Sequence, residues 1–205
     1  MLYWFDVFGT GVFALSGVLL AEKLRMDLFG ILVLAVVTAV GGGTIRDIIL
    51  GNSPVFWIRD PTNLVVAILT CFFTLLIMRY NCQLPQWILP VLDAIGLAVF
   101  VSIGVNKAFS SGSGLLIAVC MGVITSVGGG MLRDILVREI PLVFHSEIYA
   151  TASIAGGIVH AVAFSVSHFS LSVAAIMGMV TTLLIRLASI RWHLKLPIFE
   201  FTSHN

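Results

Sequence analysis

Two segments of the chain place a glycine triplet before an arginine–aspartate pair, with two residues in between. Residues 36–54 read VVTAVGGGTIRDIILGNSP, and residues 123–141 read VITSVGGGMLRDILVREIP. At an offset of 87 positions, ten of the nineteen aligned residues are identical. Each glycine inside a helix costs roughly 1 kcal/mol relative to alanine. Three in a row, at matching places, indicate a functional role and one structural task shared by two halves of the chain.

Glycines in an apolar helix allow two structures, close approach of another helix or a kinked or unwound helix. Three contiguous glycines exceed what packing requires, which favours the kink. Carbonyl oxygens freed at a kink are hard ligands that suit a cation. Hydroxyl side chains beside the triplets would line the same path, or would hydrogen bond to the preceding helical turn. The residues of this predicted path are Gly41, Gly42, Gly43, Thr38 and Thr44 in the first segment, and Gly128, Gly129, Gly130, Thr125 and Ser126 in the second.

Four charged residues flank the triplets in two equivalent sets. Asp6 begins the first apolar segment and Arg46 ends the second, and Asp93 and Arg133 occupy the same positions 87 residues later. Charges at such depth in a membrane usually pair or face an aqueous cavity. We expect Asp6 to lie near Arg46 and Asp93 near Arg133, closing the two ends of one path. The alternative is that these side chains reach the lipid headgroups from the interface.

Three further ionisable residues are expected to have structural roles. Asp47 and Asp134 are predicted to be solvated at helix ends. His160, inside an apolar segment, is expected to donate a hydrogen bond in helix packing, with a proton relay as the alternative. The sequence contains no catalytic motif and no Cys/His cluster, so we expect no enzyme activity, no cofactor and no metal site.

The composition assigns the chain to the membrane. Of its 205 residues 59% are hydrophobic and only 10% are charged, and its mean hydropathy is +1.10. Soluble domains carry about a quarter charged residues. The net charge of +1 gives no reason to expect a nucleic acid partner. The sequence therefore predicts an all-α integral membrane protein.

Seven apolar segments are long enough to cross a bilayer, which needs about 20 residues. Eight of the eleven Lys and Arg residues lie on one side of this arrangement. Because positive residues favour the cytoplasm, we expect the N-terminus outside and the C-terminus inside. Residues 1–192 form one transmembrane domain, and residues 193–205 form a cytoplasmic tail. The predicted spans are 3–22, 28–50, 62–80, 86–107, 113–137, 146–167 and 169–190.

The repeat extends over three spans in each half, residues 3–80 and 86–167. The seventh span, 169–190, lies outside the repeat. Because three is odd, the second unit enters the membrane from the opposite face. The two units are predicted to be inverted repeats, related by a pseudo-two-fold axis in the membrane plane. This architecture, with interrupted helices meeting near the midplane, is known among transport proteins.

The doubled motif GGGTIRDIIL and GGGMLRDILV, in seven spans, resembles the bacterial branch of the trimeric intracellular cation (TRIC) channels. That branch overlaps a group of small membrane proteins catalogued as putative glycine transporters. The resemblance implies kinks in spans two and five at the triplets, a pore in each protomer, a homotrimer in the bacterial inner membrane and passive K⁺ conduction. It places Arg46 and Arg133 near the constriction, with permeant K⁺ or Na⁺ and membrane lipid as partners.

One departure from the family limits what can be transferred. Animal members carry a Lys-Glu-Val motif for lipid binding after the second triplet, whereas Met131-Leu132-Arg133-Asp134 follows it in this chain. Phosphoinositide binding is therefore not expected. A secondary transporter for a small zwitterion such as glycine is the alternative function, because a half-helix N-terminus can hold a carboxylate while carbonyl oxygens hold a cation.

Overall fold

The computed structural model describes residues 2–79, 85, 87–144, 148–167 and 169–194. Nearly all of the predicted tail, 193–205, lies outside the described residues. A one-turn 3-10 helix, Leu142–Phe144, precedes the seventh α-helix. Within the described residues the α-helices are α1 Leu2–Lys23, α2 Leu28–Ile49, α3 Phe56–Arg59, α4 Thr62–Met78, α5 Ile88–Ser110, α6 Leu115–Leu136, α7 Ala150–Ser165 and α8 Leu171–Trp192.

Helix ends follow local sequence signals. Asp27 caps α2, and its Oδ1 accepts a hydrogen bond from the backbone N–H of Gly30 at 2.7 Å. Ser170 caps α8 in the same way through the N–H of Val173 at 3.4 Å. Such side chains satisfy backbone donors that have no partner in the first helical turn. The predicted boundaries at residues 28 and 169 therefore agree with the structure to within two residues.

Five helices, namely α1, α2, α5, α6 and α8, are long and apolar enough to cross a membrane. The other two predicted spans correspond to α4 and α7, which are apolar but have only 17 and 16 residues. The chain is therefore an all-α membrane protein, and within the described residues five helices have the length and composition that a membrane crossing needs.

Helix α4 shows how the protein faces lipid. Its buried residues are Asn63, Ala67, Cys71 and Thr74. These positions recur every three or four residues, so they form one stripe of the helix that packs inward. The opposite face exposes large apolar side chains, as do parts of α7 and α8. A continuous apolar surface of this kind is stable only against hydrocarbon or another protein.

The centre of the fold is the crossing of α2 and α6, where the two repeats contact each other reciprocally. A Cβ atom at Gly42 would overlap the carbonyl oxygen of Thr125, and a Cβ at Gly129 would overlap that of Thr38. Each residue in the first contact is 87 positions from its counterpart in the second. Exchanging the repeats therefore reproduces the interface, as a pseudo-two-fold axis requires.

A second reciprocal contact lies where α1 crosses α5. The rings of Phe13 and Phe100, which are 87 positions apart, have centroids 5.0 Å apart. A Cβ at Gly96 would overlap the Phe13 ring, and a Cβ at Gly9 would lie 3.3 Å from the Phe100 ring. In both contacts, a glycine of one repeat leaves room for the phenylalanine ring of the other.

Candidate functional site

Both glycine triplets lie within uninterrupted α-helix, α2 at residues 41–43 and α6 at residues 128–130. The helices are therefore not unwound there. Gly42 and Gly129 instead allow the two backbones to approach each other at the α2–α6 crossing, which is the packing alternative. Helix kinks at the triplets stay a prediction.

The helices run in opposite directions where they cross. A Cβ at Gly41 would lie 2.6 Å from the side chain of Leu132, whereas a Cβ at Gly128 would lie 3.3 Å from that of Ile45. Advancing along α2 therefore means moving backwards along α6. Because each arginine follows its triplet, Arg46 and Arg133 lie on opposite sides of the crossing.

The four predicted hydroxyl residues are engaged within the protein. Each donates to a carbonyl oxygen of the preceding turn of its own helix, at 2.6 to 3.0 Å. Thr44 also accepts from the indole N–H of Trp57 at 3.0 Å, and the Ser126 hydroxyl lies 2.9 Å from that of Ser153. That Thr38, Thr44, Thr125 and Ser126 line a path remains a prediction.

On one side of the crossing, Arg133 is the centre of a buried ionic network, which we name the Arg133 cluster. Its Nη1 donates to Asp93 Oδ1 at 3.0 Å and to Ser16 Oγ at 3.1 Å. Its Nε donates to Asp134 Oδ1 at 2.9 Å, and its Nη2 forms an ion pair with the same oxygen. Arg133 is 1% exposed and Asp93 is fully buried. The predicted contact between Asp93 and Arg133 is confirmed, and it joins α1, α5 and α6.

Two further side chains cover this cluster. The guanidinium carbon of Arg186, from α8, lies 4.8 Å from the centroid of the Tyr149 ring, and its Nη1 donates to the carbonyl of Ile148 at 3.4 Å. A Cβ at Gly130 would lie 3.2 Å from the Tyr149 hydroxyl and 3.4 Å from Asp93 Oδ1. The third glycine of the triplet therefore leaves room for the hydroxyl beside the carboxylate.

On the other side, Arg46 forms a smaller network, the Arg46 cluster. Its Nε and Nη2 both contact Asp47 Oδ1 at 2.8 Å. Its guanidinium carbon lies 5.4 Å from the centroid of the Phe56 ring. A Cβ at Gly43 would lie 2.6 Å from that ring. The third glycine again makes room for an aromatic residue that covers the arginine, and Arg46 is only 2% exposed.

Asp6 lies near Arg46, as expected, but the direct partner of each is another residue. Asp6 Oδ2 accepts a hydrogen bond from Asn63 Nδ2 at 2.7 Å, and Arg46 pairs with Asp47. Arg46 remains close enough to Asp6 for an electrostatic interaction. The cause is local sequence: the position equivalent to Asn63 in the second repeat is Ala150, which offers no competing donor.

The prediction that Asp47 and Asp134 are solvated is also wrong. They are 3% and 5% exposed. Besides its arginine, each holds the segment that follows its helix: Asp47 Oδ2 accepts from the Phe56 N–H at 2.8 Å, and Asp134 Oδ2 accepts from the Leu142 N–H at 3.2 Å. The chain folds back over each helix end, and this return buries the carboxylate.

Replacing Asp47 by alanine should lower the free energy of unfolding by about 3 kcal/mol, because it leaves Arg46 as a buried charge without its carboxylate. Thermal unfolding in detergent measures the effect. The exposed Asp27→Ala, which removes only the cap of α2, should cost about 1 kcal/mol. Equal losses in the two variants would contradict a special role for Asp47.

His160 is fully buried in α7, and neither ring nitrogen has a hydrogen-bond partner among the described residues. It packs against α8, since a Cβ at Gly178 would lie 2.8 Å from the His160 Cβ. The packing role is confirmed, whereas the expected hydrogen bond is not seen.

Comparison with known proteins agrees with the doubled architecture. The family model described as Glycine transporter matches residues 3–79 and again residues 90–165. The chain belongs to this family. The start of the second match is 87 residues after the start of the first, which is the offset between the two motifs. Each half of the chain thus fits the same pattern.

Relatives in the family share most of their length with the chain. The UPF0126 inner membrane protein YadS of Escherichia coli strain K12 is 66% identical over 204 residues, with 100% of this chain and 99% of the relative covered. A UPF0126 membrane protein of Vibrio cholerae is 58% identical, with 99% of this chain and 84% of the relative covered.

Solved structures extend the likeness to the fold. The TRIC trimeric intracellular cation channel orthologue from Rhodobacter sphaeroides has a TM-score of 0.88 at 35% identity, covering 94% of this chain and 98% of that one. A second TRIC cation channel has a TM-score of 0.86 at 36% identity and covers 97% of both chains. The family member described here therefore has the TRIC fold.

Proposed function

We propose that this protein conducts monovalent cations, chiefly K⁺, through a path in each protomer between α2 and α6. The observation that carries the proposal is the pair of buried arginine clusters on opposite sides of the α2–α6 crossing. Charged groups are rarely buried in a membrane without a role in transport. The similarity to channels described as conducting cations supports the same function.

The ionic partners explain how a cation path tolerates arginine. A lone guanidinium in a low-dielectric path repels K⁺ by several kcal/mol. In the Arg133 cluster, Asp93 and Asp134 lie within 3.0 Å of the guanidinium. These two carboxylates offset its charge. When Arg186 is included, the net formal charge of the two arginines and two aspartates is zero.

We further propose that the Arg133 cluster is the closed gate. Its hydrogen bonds tie α1, α5 and α6 together through Ser16 and Asp93. Opening then requires the guanidinium to leave these acceptors, after which the three helices can separate. Arg46, with one carboxylate in contact, is held by fewer bonds and forms the second, weaker constriction.

The family relation also supports a proposal for the full assembly. We propose seven spans in two inverted three-helix repeats plus α8, a homotrimer in the bacterial inner membrane, and an N-terminus on the outer side. Lipid covers the exposed apolar faces, and residues 1–192 act as one transmembrane domain. The trimeric channels of the same fold support the oligomer.

A secondary transporter for a small zwitterion is the second candidate. The pocket beside the Arg46 cluster favours it, because this pocket is lined by both acidic and basic side chains, including Asp6 and Lys107. A zwitterion needs one group of each sign. The candidate also agrees with the description of the family model.

Flux into proteoliposomes separates the two functions. The purified protein is reconstituted, and Tl⁺ entry is followed with a fluorescent indicator beside uptake of labelled glycine. The channel predicts rapid Tl⁺ entry down its gradient and no glycine accumulation. Saturable, ion-coupled glycine uptake without Tl⁺ entry would replace the channel by the transporter. Vesicles carrying Arg133→Ala provide the comparison for pathway dependence.

A further inference from the structure

The two arginine clusters are covered by aromatic side chains from different places in the chain. Phe56 covers the Arg46 cluster, and Tyr149 covers the Arg133 cluster. The position equivalent to Tyr149 in the first repeat is Thr62, so the repeat does not account for this aromatic residue. Tyr149 is contacted from α8, which follows both of the matched repeats. The contact therefore links the helix outside the repeats to the proposed gate.

Tyr149 joins two of the three helices that the proposed gate holds together. It packs in one buried group with Leu97 of α5 and Val127 of α6, and its hydroxyl interacts with the Asp93 carboxylate. The residue is only 2% exposed. Because Tyr149 contacts both helices, it must lose one of these contacts when α5 and α6 move apart.

Arg186 holds both the side chain and the backbone at this position. Its guanidinium carbon lies 4.8 Å from the centroid of the Tyr149 ring, and its Nη1 donates to the carbonyl oxygen of Ile148 at 3.4 Å. A planar guanidinium can stack on a ring and donate hydrogen bonds at the same time. Tyr149 immediately precedes the first turn of α7. Arg186 thus fixes the start of α7, and the ring carried there, against α8.

We propose that Arg186 is a positioning residue of the gate, which keeps Tyr149 against both α5 and α6 and so favours the closed state. This inference rests on the proposed cation conduction. The gate opens when the guanidinium leaves the ring and Tyr149 withdraws from one of the two helices. Another face of α8 exposes the apolar side chains of Val180 and Leu184. A displacement of α8 by its surroundings is therefore transmitted to the gate through one side chain.

Arg186→Gln is expected to raise the open probability in planar bilayers about tenfold, because a desolvated contact between a cation and an aromatic face biases a two-state equilibrium by about that factor. Single-channel recording measures the effect. The matched control, Arg191→Gln, removes an equal charge from an exposed position of the same helix. Its open probability should equal that of the unmodified protein.

Arg186→Lys takes the place of Arg186→Gln if the glutamine variant does not fold. Lysine keeps the charge, but its compact ammonium cannot stack flat on the ring while it donates to the Ile148 carbonyl, so a rise of about threefold is expected. An open probability that is unchanged in Arg186→Lys would then contradict the positioning role.

A second pair of variants tests whether Arg186 acts through Tyr149. Tyr149→Leu removes the ring and should raise the open probability by itself. Adding Arg186→Gln to it should give no further rise, because the ring on which the guanidinium acts is gone. Tyr149→Phe keeps the ring and loses only the hydroxyl, so its open probability should stay closer to that of the unmodified protein. An arginine with a purely structural role would lower stability in both backgrounds and leave the open probability unchanged.

Amide hydrogen exchange measures the positioning of Tyr149 without any current. The backbone carbonyl oxygen of Tyr149 accepts from the N–H groups of Ala152 and Ser153 at 3.2 and 3.4 Å. These two amides therefore report whether the start of α7 is held in place. Their exchange in detergent should be about tenfold faster in Arg186→Gln than in Arg191→Gln, because the release of Arg186 favours local opening.

Two results would overturn the inference. One is the same open probability in Arg186→Gln and Arg191→Gln, and the other is a further rise when Arg186→Gln is added to Tyr149→Leu. If every variant carries no current, the proposed channel fails. Faster exchange in Arg186→Gln would then still support the positioning of Tyr149, whereas equal exchange in the two arginine variants would remove it.

Discussion

Gly42→Ala is expected to lower the free energy of unfolding by at least about 3 kcal/mol, at the upper end of overpacking effects. The new Cβ would overlap the carbonyl oxygen of Thr125. This atom belongs to backbone, so the clash cannot be relieved by a rotamer change and the α2–α6 crossing must open. Thermal unfolding and the yield of monodisperse protein in detergent measure the loss.

The pseudo-two-fold axis requires that the equivalent substitution in the second repeat has a similar effect. Gly129→Ala should cost about as much, because its Cβ would overlap the carbonyl oxygen of Thr38. Gly114→Ala is the matched control, since no atom lies within 4 Å of its Cβ position and its φ of −70° suits any residue. The control should lose less than about 1 kcal/mol. Equal losses in all three variants would mean that the triplets are not a packing interface.

Arg133→Ala is expected to raise open probability or unitary conductance, because it removes the group that ties α1, α5 and α6 together. It should also cost 3–5 kcal/mol of stability, the usual range when one partner of a buried ion pair is removed. Single-channel recording in planar bilayers measures the first effect, and thermal unfolding in detergent measures the second. An unchanged single-channel record would contradict gating by Arg133.

Two comparisons separate gating from general destabilisation. Ser16→Ala removes one acceptor of Arg133 and leaves all charges in place, so it should raise open probability by a smaller factor at little cost in stability. Arg46→Ala breaks contacts with one carboxylate instead of two, and we expect a smaller functional effect than for Arg133→Ala. Larger currents from Arg46→Ala would move the main gate to the other side of the crossing.

Much of the fold could be predicted from hydropathy, because each long helix is a nearly continuous apolar segment. The short elements could not. Helix α3 and the 3-10 helix at Leu142–Phe144 have four and three residues, too few for any periodicity to appear. They form because Asp47 and Asp134 accept backbone hydrogen bonds from the returning chain, and that contact is invisible before the loop is folded.

The candidate site was predictable where the repeat symmetry holds. Asp93 and Arg133 were paired from their equivalent positions alone, and the structure confirms the pair. For Asp6 the same argument gives the proximity to Arg46 but not the direct partner, because the symmetry is broken by side chains outside the motif. Asn63 competes for Asp6 where the second repeat has Ala150, and Ser16 assists Arg133 where the second repeat has Ile103. A position-by-position comparison of the repeats shows that Asn63 and Ser16 differ from their counterparts. It does not show which residue each of them contacts.

The choice between kink and packing was harder to predict. Glycine serves both structures, and only the neighbouring helix decides which is used. The uninterrupted helices and the close approach of Gly42 to Thr125 show packing in this state. Bending at the triplets remains a prediction for the open pathway.

The central claim is that the protein is a passive cation channel, and current through a planar bilayer tests it most directly. The purified protein is inserted under a KCl gradient, and the reversal potential of unitary currents is measured. Discrete steps that reverse near the K⁺ equilibrium potential are predicted, with larger or longer openings in Arg133→Ala. Reversal near the Cl⁻ potential, or a silent bilayer from protein that unfolds cooperatively and is monodisperse, would contradict the claim.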